Sequence, residues 1–300
     1  MFDPPTVDFV SARAGYSSAM APRRSSEESP LQKNGEWLAR LNRLSPAVDT
    51  WHKRSKNPQP PDPGSSLAAD SMAGLNVDNP VWYSMCVSSE HLHFSLEAMR
   101  ATGTLYPTAY ITVARTALVA AVNAVWVLAP RTRQERRERA LTLRAEDLRS
   151  QITAIGNLPA VDSESEEVQQ KLLEQLRERQ SGLQATAVAL GIERDVENLR
   201  LNQTEAIKWV ARSVPDLDDD LLASGVQAIW RSGSAAAHAQ YHYGVMRAAK
   251  DETVPEQSGS SIVRLSGDLD KDIGPALAAA AMVLNEAFRL FDLRRVAHLS

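Results

Sequence analysis

YPTAYITVARTALVAAVNAVWVLAP, residues 106–130, decides the fold. Proline stands at both ends of an almost entirely apolar run, as expected of one helix bounded by residues that cannot continue it. A helix that is hydrophobic all round lies either in a membrane or at the centre of a bundle. Arg115 and Asn123 fall within the run, and a charged group at that depth in lipid is costly. The expectation is therefore a central bundle helix. A second apolar stretch, 274–288, already contains Glu286 and is too short to span a bilayer. No membrane partner is expected.

Outward from this helix the pattern stays helical. Residues 79–103 begin at Asn79-Pro80 and end at Gly103, good start and stop signals. Residues 131–157 form a charged helix with Leu141, Leu143, Leu148 and Ile152 on its apolar side. After the break at GNLPAVDSES, Val168, Leu172, Leu173, Leu176 and Leu183 recur at helix-packing spacing, so the two helices are expected to form a long antiparallel hairpin. Residues 202–214 and 216–244 give further helices, 251–267 a loop with a short strand in SIVRLSG, and 272–299 a long terminal helix. Asp216, Asp218, Asp219 and Asp220 cluster where a helix begins, and capping by carboxylates is preferred to metal binding there.

Ten of the 16 prolines fall within the first 80 residues, so this part is read as an arm. SKNPQPPDPGSS, 55–66, is expected to be an extended linker. EWLARLNRL, 36–44, sets Trp37, Leu38, Leu41 and Leu44 on one helical face: a short helix that docks on the main body or on a protein partner. The expected architecture is an all-α multi-helix bundle over 80–300, with a long helical hairpin and a largely irregular N-terminal arm over 1–79.

The chain has 300 residues, 43% hydrophobic and 23% charged, with a net charge of −4. Attraction of the whole molecule to nucleic acid is not expected from that balance. Cys86 is the only cysteine, which excludes an intramolecular disulfide and a cysteine-rich zinc site and suits a core thiol. The opening residues MFDPPTVDFV lack a basic start and an apolar block, so a cytoplasmic location is expected. No Gly-rich phosphate loop and no G-x-S-x-G elbow occurs.

One stretch carries chemistry. In RSGSAAAHAQYHYG, 231–244, Arg231 and His238 are nearly two helical turns apart and would share a face. Ser234 and His242 extend the same stripe, while Ala235, Ala236 and Ala237 admit a close neighbour. Were Gly233 to interrupt the helix, Ser234 would become an N-cap and Arg231 would leave the stripe.

The spacing resembles the R-x(4–6)-H motif of the HEPN superfamily, helical-bundle proteins many of which are ribonucleases. The resemblance rests on that motif and the helical setting. It implies metal-independent RNA cleavage of the toxin or phage-defence type, without a cofactor and between two copies of a homodimer. His238 would act as general acid/base at a ribose 2′-hydroxyl, and Arg231 would hold the phosphate. Ser234 and His242 are candidate substrate contacts. So are Arg136 and Arg137, from a basic run in which 131–149 hold seven arginines against four acids. That run is equally explained by a solvated helix with i, i+4 ion pairs. The competing reading of the whole stretch is a packed seam, with Arg231 paired to Asp219 or Asp220.

A broader resemblance links 110–148, and the Arg–Ser–His helix far downstream, to a group of actinobacterial all-helical proteins without an assigned activity. Arg115, Trp126, Pro130, Arg136, Arg137 and Arg139 carry it. Where that group often has a glutamate four residues after the helix arginine, this chain has Val119, which removes an ion-pair partner for Arg115. EHLHFSLE, 90–97, places Glu90, His93 and Glu97 on one face, but no second Glu-x-x-His exists and no metal is assigned. Two function classes follow: a HEPN-like endoribonuclease, or a non-enzymatic helical interaction protein that engages its partner through the arm, around Trp37 and Trp51.

Overall fold

The computed structural model describes residues 35–214, 220–255, 261–265 and 267–297. The helices are α1 (Gly35–Ser55), α2 (Ser66–Asp70), α3 (Asp78–Thr102), α4 (Ala109–Leu128) and α5 (Arg133–Gly156). They continue with α6 (Ser163–Ala189), α7 (Gln203–Ser213), α8 (Asp220–Ala237), α9 (Tyr241–Met246) and α10 (Gly274–Arg295). Two strands, β1 (Ala248–Pro255) and β2 (Ser261–Leu265), pair as an antiparallel hairpin where a loop with one short strand was expected. The fold is an all-α multi-helix bundle.

α4 is the axis of the bundle. Helices α3, α7, α8 and α10 pack around it, and Tyr110, Ile111, Leu118, Ala120, Val122 and Val127 are buried on successive faces. It is the one described helix long and apolar enough to cross a membrane, and most of that surface is covered by its neighbours. Side chains of every orientation are needed to fill a core on all sides, which is why the sequence shows no polar stripe here.

Trp51, Val48 and Leu41 of α1 join the same core as Leu67, Leu75 and Val77, so the described part of the arm is built into the bundle. α1 is longer than the expected helix because burial of these residues carries it through Pro46, whose side chain is exposed. Trp37 is half-buried, and a Cβ on Gly274 would lie 2.6 Å from its ring. Trp51 stacks on Phe288 with ring centroids 5.9 Å apart. These contacts correct the expectation of a tryptophan-bearing surface open to a partner. The linker 55–66 is tied as well: Asp62 N–H donates to the Arg295 carbonyl at 2.8 Å, and Arg54 makes a bidentate pair with Asp292. Residues 1–34 lie outside the described residues, as do Asp216, Asp218, Asp219 and the side chain of Asp220.

The expected helical hairpin is α5 and α6. Thr132 caps α5 by accepting from Glu135 N–H, and Asp162 opens α6 with a reciprocal capping box to Ser165. Hydrogen bonding with Ser165, first through its backbone N–H and then through its side chain, also holds the Asp162 carboxyl below its ordinary range.

Candidate active site

α8 carries Arg231 and lies against α4. The approach is closest at Gly233, where a Cβ would stand 2.5 Å from the Cβ of Arg115. Glycine is required there by the neighbour rather than by the backbone, and the helix runs through it unbroken to Ala237. The aliphatic stem of Arg115 lies across the gap, and its Nε donates to Ser234 Oγ at 2.8 Å. Ser234 is therefore engaged within the fold and is corrected from a substrate contact to a clamp between α4 and α8.

The helix ends at His238 by a defined motif. Gln240 N–H donates to the Ala235 carbonyl at 2.9 Å and Ala239 N–H to that of Ala236 at 3.1 Å, with Ala239 at φ 50°. This is the Schellman pattern, with alanine in the left-handed position that glycine usually takes. The reversal ends the stripe. His242 sits on the separate helix α9, so the expected continuous face Arg231–Ser234–His238–His242 breaks after His238.

Arg231, His238, Tyr241 and His242 are all exposed. Neither Arg231 nor His238 makes an ion pair or side-chain hydrogen bond with a described residue. α9 is held from below: Tyr243 is buried, donates its hydroxyl to the Pro107 carbonyl at 3.3 Å, and lies under Arg247, which pairs with buried Asp272. Burial raises the Tyr243 hydroxyl above its usual value and, despite Arg247, the Asp272 carboxyl too. Anchored in this way, α9 turns Tyr241, Val245 and Met246 outward beside the end of α8. The end of α8 and the start of α9 thus leave the imidazoles of His238 and His242 and the phenol of Tyr241 on the surface. None of the described cavities is lined by Arg231 or His238.

Arg136 and Arg137 belong elsewhere. Arg136 is 3% exposed and makes a bidentate pair with fully buried Asp70, at 2.5 and 2.9 Å. Its remaining hydrogen bonds go to the carbonyls of Pro130 and Arg131 and to Ser66. Arg137 donates to the carbonyls of Ala69 and Asp70. Arg294 donates to those of Leu128 and Pro130, and Arg139 to that of Trp126. These arginines thus cap carbonyls at the C-terminal ends of α2 and α4, where positive charge is favoured. Arg136 is corrected from a phosphate contact to a structural cap, because no donor is left to offer a ligand, while partly buried Arg137 commits its Nε and one terminal nitrogen to the end of α2.

Other features were not visible in the sequence. Arg139 is sandwiched between Trp126 and Trp209, 5.1 and 3.8 Å from their ring centroids. His52 and His93 stack at 4.1 Å, and His93 also meets Asp49 at 3.2 Å. Burial and His93 together push the His52 imidazole below its ordinary value. His93 and Glu97 are engaged separately, by Asp49 and Arg100, and no group of three potential metal ligands occurs among the described residues. Cys86 is half-buried and its thiol contacts the Ser55 carbonyl at 3.4 Å, so it rests at the edge of the α1–α3 seam rather than in the core.

No family model matches this chain, and no curated protein or solved structure matches it either.

Proposed function

We propose that this protein is a metal-independent endoribonuclease whose RNA-facing residues are Arg231 and His238. One observation carries the reading: Arg231 projects from α8 and His238 from the residue that closes it, both exposed and without a described partner, while Ser234 and Tyr243 beside them are pinned. Unpaired cationic and imidazole groups on a rigid support are what phosphodiester chemistry requires. Arg231 binds the phosphate and offsets charge developing on its oxygens. His238 takes the proton of the ribose 2′-hydroxyl, and the 2′-oxygen attacks phosphorus. The 5′-oxygen leaves with a proton from a second imidazole, that of the other copy in a homodimer, and a 2′,3′-cyclic phosphate remains.

The test is RNA cleavage in the presence of a chelator by the parent, His238→Ala and Arg231→Ala, each with unchanged helical circular dichroism. The expected result is cleavage by the parent with cyclic-phosphate ends, reduced at least about 100-fold in His238→Ala, the scale of lost acid/base catalysis. Equal activity in all three proteins would reject the proposal.

A second reading, a non-enzymatic interaction protein, is favoured by the α5–α6 hairpin. Between Leu148 and Leu173 no residue of it is buried.

A further inference from the structure

We infer that the outer half of the α5–α6 hairpin is a docking surface for the same hairpin of a second copy, paired antiparallel about a two-fold axis at Leu172. The base of the hairpin is held to the body through α3, α4 and the short turns at Met72–Gly74 and Val196–Asn198. Its outer half projects alone, and two isolated helices are marginal in water. Yet this part carries Leu158, Val161, Val168 and Leu172, exposed between 41% and 89%. α5 and α6 leave between them a groove of about 260 Å³, lined by Ala154, Ile155, Leu172, Leu176 and Arg179.

The charges on α6 select the occupant. Glu164, Val168, Leu172, Gln175 and Arg179 follow one another at spacings of three and four and so form one stripe. Leu172 lies almost midway between Glu164 and Arg179. Neither Glu164 nor Arg179 makes an ion pair with a described residue. Antiparallel pairing of two such stripes therefore sets Leu172 near its own copy, Val168 opposite Gln175, and each Glu164 opposite the other copy's Arg179. Parallel pairing would instead set the acidic tips, with Asp162, Glu164, Glu166 and Glu167, against each other. The stripe complements itself in one direction only, the property of an isologous interface. Its closed form is a four-helix arrangement of the two hairpins.

The stripe from Glu164 to Arg179 on α6 is about 22 Å long at 1.5 Å per residue. A face of that length buries on the order of 1,000 Å² in total, the lower bound for a specific interface. The dimer is therefore expected to dissociate in the micromolar range. This inference stands apart from the ribonuclease reading, since it is read out by mass rather than by cleavage.

Sedimentation equilibrium of the full chain across the micromolar range tests it. The parent is expected to dimerise, and Leu172→Glu to be monomeric. Glu164→Arg and Arg179→Glu should each weaken association about tenfold, as two attractive pairs become repulsive, and the double variant E164R/R179E should recover the parent's affinity. All three substituted positions are exposed, so circular dichroism should be unchanged. A monomeric parent throughout, a dimer indifferent to Leu172→Glu, or a double variant no better than the single ones would overturn the inference.

Discussion

Arg136 and Arg231 are both helix arginines in sequence stretches that invite a phosphate-binding reading, and the fold treats them oppositely. Arg136 is enclosed, with its donors satisfied by Asp70, Ser66 and two carbonyls. Arg231 is exposed and unpaired among the described residues. The density of positive charge along the chain therefore does not by itself mark a free guanidinium. Seven arginines cluster in 131–149, yet their central members hold helix ends together. Arg231, before an alanine-rich turn, is left exposed and without a partner among the described residues. Buried polar groups must be satisfied, and an arginine used for that purpose has little left for chemistry.

The largest expected effect separates these two roles on stability. Asp70→Ala leaves the Arg136 guanidinium buried without its counter-charge, and loss of one partner of a buried pair costs about 3–5 kcal/mol. Chemical denaturation should show that loss. A cost below about 1 kcal/mol would mean that the pair is not the structural tie described here.

A sharper test concerns the support beneath Arg231. If Gly233 were simply a weak spot in α8, alanine there would stabilise the helix by about 1 kcal/mol. Because the new Cβ would meet Arg115 at 2.5 Å, Gly233→Ala is instead expected to destabilise by about 1–3 kcal/mol, the cost of overpacking. The sign of the change decides between the two.

The smallest effect belongs to pH. His52 has a lowered folded-state value, caused first by burial and then by His93. Below the ordinary histidine value near 6.5 the unfolded chain thus binds more protons than the folded one. This group's contribution is full above that value and is lost as pH falls through the lower folded one. Denaturation midpoints measured from pH 7.5 down to 5.5 should decline, and His52→Gln should flatten the decline. A midpoint that rises on acidification of the parent would contradict the assignment.

Much of the fold was legible because its signals are local. Pro80, Gly103, Pro107 and Pro130 bound α3 and α4, and the leucine spacing exposes the α5–α6 hairpin. The arm was misread because proline composition masks α1, whose length depends on Trp51 and Val48 reaching the core. At the site, the spacing of Arg231 and His238 was visible, but the turn at Ala239 that separates His242 was not, since alanine gives no signal for a left-handed residue. The roles of Arg136 and Ser234 were hidden for a different reason. Asp70 stands 66 positions from Arg136, and Arg115 stands 119 from Ser234; only the folded chain brings them together.

The central claim is that Arg231 is free for chemistry while Arg136 is not. It is tested most directly by RNA cleavage with Arg231→Ala at a temperature where its unfolding curve coincides with the parent's. Substitution of an exposed residue without a described partner should leave stability within about 0.5 kcal/mol, and cleavage should nevertheless fall by about 100-fold or more, the scale of one lost electrostatic contact to the transition state. Undiminished cleavage, or a loss of cleavage that only tracks a loss of stability, would contradict the account and make 231–244 a packing seam.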